Sequence, residues 1–231
     1  MPDLVTPDAS TLARDGYAML ASTPQRRALS IAVAKEFEAM VGAGTRHLLE
    51  SDRVSALLRD LDLRSAVQQV LGAAAFAYKA TLFDKHTDAN WLVAWHQDIS
   101  IPVVGHIHVD GWQSWTRKDG VQYVQPPEAV LSQLLAVRVH LDPSREDNGP
   151  LCVLAGSHRR GRLQQAEISA AKSRFPMRSI TGEVGTAVLM RPLLIHSSTK
   201  STSTVRRRVL HLEFAASELP GGLEWHRRVS L

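Results

Sequence analysis

The sequence predicts a mainly β fold, an antiparallel sandwich or jelly roll with helices packed outside it. Up to about residue 72, apolar residues recur at helical spacing, whereas from residue 73 they form short runs between turn residues. No helix long enough to join parallel strands separates these runs, which disfavours a parallel α/β sheet. A length of 231 residues suits one large β domain. We therefore expect one domain over 1–231, with a helical front of about 1–72 and a jelly-roll core of about 73–216.

Three helices are expected in the helical front. Thr23 is a suitable cap for the first, and Pro24 follows at the first helical position. Its apolar face consists of Ala28, Ile31, Ala34, Phe37 and Val41. Ser51 is the predicted cap of the second helix and Asp62 that of the third, which ends at Gly72. These helices are predicted to form a layer outside the sheets.

Seven strands are expected in the core. They are short apolar runs bounded by turn sequences such as Asp119-Gly120 and Asn148-Gly149-Pro150. The predicted strands cover residues 74–83, 91–95, 99–108, 131–142, 151–155, 185–195 and 204–214.

Composition excludes several classes of protein. A hydrophobic fraction of 44% and a charged fraction of 22% are those of an ordinary globular protein. Cys152 is the single cysteine, so an internal disulfide and a cysteine-based metal site are excluded. The start of the chain does not resemble a signal peptide, and no apolar run is long enough to cross a bilayer. We expect a cytoplasmic location and no membrane partner.

The charge of the chain is +4, with 21 arginines and 6 lysines. These residues are mostly dispersed and no nucleic-acid-binding motif accompanies them, so no nucleic-acid partner is expected. The guanidinium group binds carboxylates and phosphates through two hydrogen bonds, which favours an anionic small molecule as the substrate. The oligomeric state is not determined by any sequence feature.

The spacing His-x-Asp recurs along the predicted strands. Residues i and i+2 of a strand point to the same side, so such a pair can offer two ligands to one metal ion. Pairs with this spacing are His96/Asp98, His108/Asp110, His140/Asp142 and, with glutamate, His211/Glu213. Two histidines and one carboxylate form the usual iron site of non-haem oxygenases. The spacing alone does not choose among the pairs.

A third ligand must come from a distant strand, and His196 is suitably placed at the end of the apolar run 188–195. Eleven residues later comes Arg207, within an arginine triplet on a predicted strand. A 2-oxoglutarate-dependent oxygenase needs such a base to hold the far carboxylate of its co-substrate. Because side chains alternate along a strand, one register points Arg207 inward and the other points Arg206 and Arg208 inward.

At these residues the sequence resembles the phytanoyl-CoA dioxygenases, a family of Fe(II)- and 2-oxoglutarate-dependent oxygenases. The resemblance extends from about residue 12 to 225 and implies a double-stranded β-helix, a cupin-like jelly roll, with α-helices on its outside. The matching stretches are Phe83-Asp84-Lys85, Asn90-Trp91, Trp95-His96-Gln97-Asp98, His140-Leu141-Asp142, Asn148-Gly149-Pro150-Leu151, Gly156-Ser157-His158, Gly185 through His196-Ser197-Ser198, and Arg207 through Phe214.

The resemblance implies a catalytic centre in which His96, Asp98 and His196 bind Fe(II). With 2-oxoglutarate and O₂ as co-substrates, such a centre hydroxylates a small molecule. Related halogenases lack the carboxylate that Asp98 supplies, so its presence favours hydroxylation over halogenation. The resemblance leaves open which molecule is hydroxylated and whether it is a CoA thioester.

The resemblance also implies three co-substrate residues. Arg207 would bind the 5-carboxylate of 2-oxoglutarate, Arg138 would line the same pocket, and Arg46 would reach it from the helical front. From the residues themselves, His108 and Trp112 belong to a loop that looks exposed, and they are candidates to contact the substrate.

One alternative function shares the fold. A cupin-like metal-binding isomerase or small-molecule-binding protein also has a jelly roll with histidines inside. Such proteins usually gather three or more imidazoles and a glutamate around the metal, whereas the linear pattern here gives two histidines, one aspartate and a following arginine. Metal analysis with a succinate assay separates the two functions.

Overall fold

The computed structural model describes residues 9–40 and 42–231, so the start of the chain and Val41 lie outside the described residues. Six α-helices lie in these two ranges. They are α1 (Ala9–Asp15), α2 (Pro24–Glu36), α3 (Asp52–Leu58), α4 (Leu61–Leu71), α5 (Glu128–Leu131) and α6 (Gln165–Ala171). No helix in this part of the chain is both long and apolar enough to cross a membrane.

Fourteen strands lie in the same ranges. They are β1 (Tyr17–Leu20), β2 (Gly44–Thr45), β3 (Phe76–Lys85), β4 (Val93–His96), β5 (Ile101–Val103), β6 (Gln113–Lys118), β7 (Val121–Gln125), β8 (Leu135–His140), β9 (Leu151–Leu154), β10 (Met177–Ile180), β11 (Ala187–Met190), β12 (His196–Ser198), β13 (Arg207–Ala215) and β14 (Val229–Ser230).

Two antiparallel sheets form the body of the molecule. The larger has the order β1-β11-β8-β13-β3-β14, with β2 added to β3, and the smaller has the order β10-β9-β12-β4. Their inner faces share a core in which Val188 and Met190 of the larger sheet pack with Leu151 and Val153 of the smaller. A third sheet, β5-β7-β6, lies beside them. The prediction of a mainly β, antiparallel fold is confirmed.

The outer face of the larger sheet packs against helices. Leu210, Leu212 and Phe214 of β13 belong to the same buried cluster as Val54 and Val67 of α3 and α4. Because side chains alternate along a strand, the residues between them turn to the inner face. One strand therefore separates an apolar helical layer from the interior of the jelly roll.

The helix caps mostly follow the predictions. Thr23 accepts a hydrogen bond from the backbone of α2, and Ser51 does the same for α3. The cap of α4 is Asp60, whose Oδ1 accepts from the Leu63 amide at 3.0 Å, so the prediction of Asp62 was wrong. The helix begins before Asp62, which lies in its first turn.

Several strand predictions need correction. The predicted strand 99–108 is shortened to β5, and β6 and β7 form a hairpin that was not predicted. Their turn, Asp119-Gly120, has positive φ at both residues, as two-residue hairpins favour. The strand β6 is largely exposed and polar, so it lacks the apolar alternation that marks a strand. The strands β1 and β10 were also not predicted.

We expect Asp60→Asn to lower the free energy of unfolding by about 2 kcal/mol. Asp60 and Arg26 are both buried, with Arg26 Nη1 3.2 Å from Asp60 Oδ1. Asparagine can still cap α4, so the loss reports the removal of the closer of the two carboxylates that pair with Arg26. Urea unfolding monitored by circular dichroism measures it. Asp62→Asn is the matched control, since that half-exposed carboxylate is 3.9 Å from Arg26 and should contribute under about 1 kcal/mol. Equal losses in the two variants would contradict this account.

Candidate metal centre

Two strands of the smaller sheet bring the candidate ligands together. His96 ends β4, Asp98 follows two residues later, and His196 begins β12. The two strands pair antiparallel with His196 directly opposite His96, and the imidazole centroids are 4.2 Å apart. Residues a hundred positions apart in the chain therefore lie side by side.

The carboxylate of Asp98 lies between the two imidazoles. Its Oδ1 is 3.7 Å from His96 Nε2, and its Oδ2 is 3.6 Å from His196 Nε2. One ligand atom from each of the three residues lies within 4.8 Å of the others. A single metal ion can therefore contact all three side chains.

The hydrogen bonds of these residues fit a metal ion. Nδ1 of His96 is 2.8 Å from the Ala94 carbonyl oxygen, and Nδ1 of His196 is 2.9 Å from that of Leu194. With each Nδ1–H donating to a carbonyl, the lone pair of each Nε2 is free to face the metal position. Asp98 Oδ2 is buried and has no hydrogen-bond partner among the described residues. A cation between the three side chains would satisfy this oxygen.

The protonation states also suit metal binding. Burial lowers the pKa of His196 to about 3, so this imidazole is neutral. Burial alone would raise the pKa of Asp98, but the neighbouring imidazoles, among them His96, hold the pKa of this carboxyl well below its usual range. Burial alone would lower the pKa of His96, but its contact with Asp98 raises it, so His96 would lose a proton when it binds a metal. A neutral imidazole and an ionised carboxylate are the forms that bind metals.

The ligands line a cavity of about 220 Å³ between the two sheets. Its lining residues are Lys79, Phe83, Trp91, Val93, His96, Asp98, Arg138, Leu151, His196, Ser197, Ser198, Arg207, His211 and Glu213. The cavity therefore combines metal ligands, cations and apolar walls.

Of the arginine triplet, Arg207 faces the cavity. It is 3% exposed, and its Nε donates to the Asn148 carbonyl at 3.2 Å. Arg206 is paired instead with Asp84, and Arg208 with Asp142. Of the two strand registers that the sequence allowed, the structure therefore has the one in which Arg207 points inward.

Arg138 of β8 is a second cation in the cavity. It is buried, its guanidinium lies 5.5 Å from the centroid of the Phe83 ring, and Nη1 is 3.5 Å from His211 Nδ1. Burial lowers the pKa of both Arg138 and Arg207 to about 10, so both remain charged near neutral pH. Within the described part of the chain, neither guanidinium has a carboxylate within salt-bridge distance. Buried cations without a partner favour an anionic ligand.

Three ionisable residues of the cavity, Lys79, His211 and Glu213, were not predicted as part of the site. His211 Nε2 is 3.5 Å from Asp98 Oδ2 and 3.2 Å from Glu213 Oε1, and Lys79 Nζ is 3.0 Å from Glu213 Oε2. Burial alone would raise the pKa of Glu213 and lower that of Lys79. The positive charge of Lys79 outweighs burial and lowers the pKa of Glu213, and the negative charge of Glu213 likewise raises the pKa of Lys79. The His-x-Glu spacing on β13 was the sequence feature that could have identified His211 and Glu213, whereas no sequence feature indicated Lys79.

The remaining predicted site residues do not line the cavity. Arg46 is exposed, paired with Asp119 at 2.9 Å, and lines a neighbouring pocket. The side chain of His108 is 94% exposed and lies 3.8 Å from Asp110. Trp112 is buried in an apolar cluster rather than exposed. None of the three lies among the lining residues of the cavity.

A jelly roll that presents two histidines and one carboxylate to a common point is the architecture of non-haem metal enzymes. The family profile described as phytanoyl-CoA dioxygenase (PhyH) matches residues 3–209. The chain belongs to this family, which confirms the resemblance noted in the sequence.

The chain is also similar to a named enzyme. L-proline trans-4-hydroxylase of Streptomyces griseoviridis is 29% identical over an alignment of 192 residues, and the match covers 71% of this chain and 63% of that protein. The chain thus spans less than two thirds of the length of this relative.

Solved structures share the fold. EctD from S. alaskensis, with 2-oxoglutarate and 5-hydroxyectoine, has a TM-score of 0.69 and 21% identity over 90% of this chain and 74% of its own. AviO1 from Streptomyces viridochromogenes Tue57 has a TM-score of 0.64 and 19% identity over 91% and 96% of the two chains. At these identities the likeness concerns the fold.

Proposed function

We propose that this protein is a non-haem Fe(II)- and 2-oxoglutarate-dependent dioxygenase that hydroxylates a small molecule. The observation that carries the proposal is the convergence of His96, Asp98 and His196, whose ligand atoms lie within 4.8 Å of one another. These three residues would hold Fe(II). When bound, iron and 2-oxoglutarate supply the oxidation, in which O₂ is consumed, succinate and CO₂ are released, and a C–H bond of the substrate becomes an alcohol.

The two unpaired arginines would hold 2-oxoglutarate, which is a dianion. Arg138 pairs in register with His211, beside the metal ligands, whereas Arg207 lies four residues away along β13. Arg207 is therefore suited to the far, 5-carboxylate and Arg138 to the end near the metal. Arg46 stays a prediction as a third co-substrate residue; it is paired with Asp119 and is not among the residues that line the cavity.

The cavity favours a small substrate. A volume of about 220 Å³ is below the roughly 300–1,000 Å³ of typical ligand sites, and 2-oxoglutarate must share it. An acyl-CoA does not fit inside as a whole. The relative named for L-proline and the EctD structure with 5-hydroxyectoine are consistent with a small polar molecule. The buried free thiol of Cys152 is compatible with the expected cytoplasmic location.

One observation favours the second candidate, a cupin-like metal protein without oxidative chemistry. His211 and Glu213 bring a third imidazole and a glutamate close to Asp98, as in proteins of that kind. Against it, the two unpaired arginines suit 2-oxoglutarate, which a metal-dependent isomerase does not require.

An anaerobic titration tests the proposed function. Addition of Fe(II) and then 2-oxoglutarate to the purified protein should produce a metal-to-ligand charge-transfer absorption band, and admission of O₂ should yield succinate. Metal binding without the band and without succinate would favour the second candidate. The absence of metal binding would contradict both functions.

We expect the affinity for 2-oxoglutarate to fall about three- to tenfold between pH 7 and pH 9. Burial, together with the nearby charges of Arg207 and Arg138, lowers the pKa of Lys85 to about 8. Its ammonium is present below this pH, where it attracts the dianion, and is lost above it. Binding of the dianion stabilises the ammonium of Lys85, so the midpoint of its deprotonation shifts to higher pH. Calorimetric titration at several pH values measures the effect, and Lys85→Met should remove most of it. A pH-independent affinity in the unmodified protein would contradict the prediction.

A further inference from the structure

We propose that Lys79 and Glu213 form a recognition site for a zwitterionic substrate, in which Glu213 binds its ammonium group and Lys79 its carboxylate. This inference rests on the proposed function and names the class of its substrate, small molecules of the amino-acid type.

The pair lies at the end of the cavity opposite the co-substrate anchor. Arg207, His211 and Glu213 share the inner face of β13, with Arg207 and Glu213 six residues apart. The metal ligand Asp98 contacts His211, which lies between them. With 2-oxoglutarate on the Arg207 side, the Glu213 side is left for the substrate.

Both members of the pair have unused hydrogen-bonding capacity. Glu213 Oε2 is buried and, although 3.0 Å from Lys79 Nζ, makes no hydrogen bond with the described residues. Lys79 Nζ lies 5.8 Å from the centroid of the Tyr123 ring. In the described ranges no carbonyl or hydroxyl oxygen accepts a hydrogen bond from Lys79. An ammonium and a carboxylate from a ligand can occupy these free positions while the pair stays charged.

The opposite charges of the pair favour a ligand that carries both signs. The carboxylate of Asp98 is assigned to the metal, and Arg138 and Arg207 are assigned to 2-oxoglutarate. Lys79 and Glu213 remain, and their charges cancel. A simple cation or anion would leave one of them without a counter-charge in a buried site, whereas a zwitterion supplies a counter-charge to each.

The position also suits the reaction. A Glu213 oxygen, a His211 nitrogen and an Asp98 oxygen lie within 4.8 Å of one another. An ammonium group held by Glu213 would therefore lie near Asp98, one of the residues that would hold the metal, so the carbon that is hydroxylated should be only a few bonds from the amino group.

The same three side chains are poorly suited to a second metal ion. Lys79 Nζ lies 3.0 Å from one Glu213 oxygen, and Arg138 Nη1 lies 3.5 Å from His211 Nδ1. Two cations this close oppose the binding of another. A substrate that carries its own negative charge avoids this repulsion.

Binding measurements with free L-amino acids test the proposal. The twenty L-amino acids of proteins are titrated into the anaerobic Fe(II)–2-oxoglutarate protein by calorimetry, and saturation-transfer NMR repeats the binding on the metal-free protein. For each amino acid that binds, the N-acetyl derivative removes the ammonium and the primary amide removes the carboxylate. We expect at least one amino acid to bind and both of its derivatives to bind at least tenfold more weakly.

Variants assign this binding to the pair. Glu213→Gln and Lys79→Met should each weaken it at least tenfold, and Lys79→Arg should restore most of it. Lys118→Met is the matched control, because Lys118 also lies over the Tyr123 ring, at 4.9 Å, but does not line the cavity. Circular dichroism verifies folding, and retention of the charge-transfer band shows that the metal and co-substrate still bind.

Two patterns would overturn the proposal while leaving the dioxygenase function intact. In the first, the band forms with Fe(II) and 2-oxoglutarate but none of the amino acids binds. In the second, the derivatives or the folded Glu213→Gln and Lys79→Met variants bind as tightly as their parents. Loss of the band in the unmodified protein would instead contradict the proposed function.

Discussion

Replacement of His196 by alanine is expected to abolish the charge-transfer band and succinate formation. This imidazole is 3% exposed, its Nδ1 is held by the Leu194 carbonyl, and its Nε2 faces Asp98 at 3.6 Å. Changing groups that merely support a ligand lowers metal affinity about 10- to 100-fold, so loss of a ligand should exceed about 100-fold. Anaerobic Fe(II) titration with succinate detection measures both effects.

His108→Ala is the control for this variant. His108 belongs to another His-x-Asp pair, but its side chain is almost fully exposed and lies outside the cavity. It should retain the band and succinate formation at the level of the unmodified protein. A band in His196→Ala as strong as in His108→Ala would show that the metal is bound elsewhere.

Replacement of Arg207 by alanine is expected to weaken 2-oxoglutarate binding about 100-fold, which corresponds to about 3 kcal/mol. The guanidinium is buried, it donates to the Asn148 carbonyl, and no carboxylate of the described residues lies within salt-bridge distance of it. Its removal would leave the 5-carboxylate without a partner in a buried site. Because the metal ligands are untouched, Fe(II) binding should be unchanged.

The neighbouring arginine provides the control for Arg207→Ala. Arg206→Ala removes the same type of side chain one residue away, where the guanidinium contacts Asp84 and Glu38 outside the cavity. It should lower stability and leave the dissociation constant for 2-oxoglutarate within about twofold of its original value. If Arg206→Ala weakened 2-oxoglutarate binding more than Arg207→Ala, the assignment of the anchor would be wrong.

The sequence was most informative where a pattern has one physical cause. Thr23 and Ser51 identified two helix starts because capping depends on a few local atoms. The ligand set His96, Asp98 and His196 was implied by the resemblance to the phytanoyl-CoA dioxygenases, since the His-x-Asp spacing alone occurs at several places in the chain. Asp98 follows the end of β4, so strand alternation does not by itself explain its position beside His96.

The features that could not be predicted depend on contacts between distant segments. Asp60 rather than Asp62 caps α4, and Asp60 is also held by Arg26, far away in the chain. The inward direction of Arg207 follows from the pairing of Arg206 and Arg208 with Asp84 and Asp142, which only the folded register reveals. Lys79 joins the cavity through its pairing with Glu213 across two strands.

Trp112 shows the same difficulty in a loop. Its neighbours in the sequence suggested exposure, yet the side chain is buried with Val124 and Leu131. A large aromatic side chain in a polar segment gives no local sign of whether another segment covers it.

The cross-strand pairing of His96 with His196 has a wider consequence. Adjacent strands are held about 4.8 Å apart by their main-chain hydrogen bonds, whatever side chains they carry. The spacing of the two imidazoles is therefore set by the backbone of the sheet. Substitutions in the cavity walls can change which molecules are admitted while the ligand geometry stays the same.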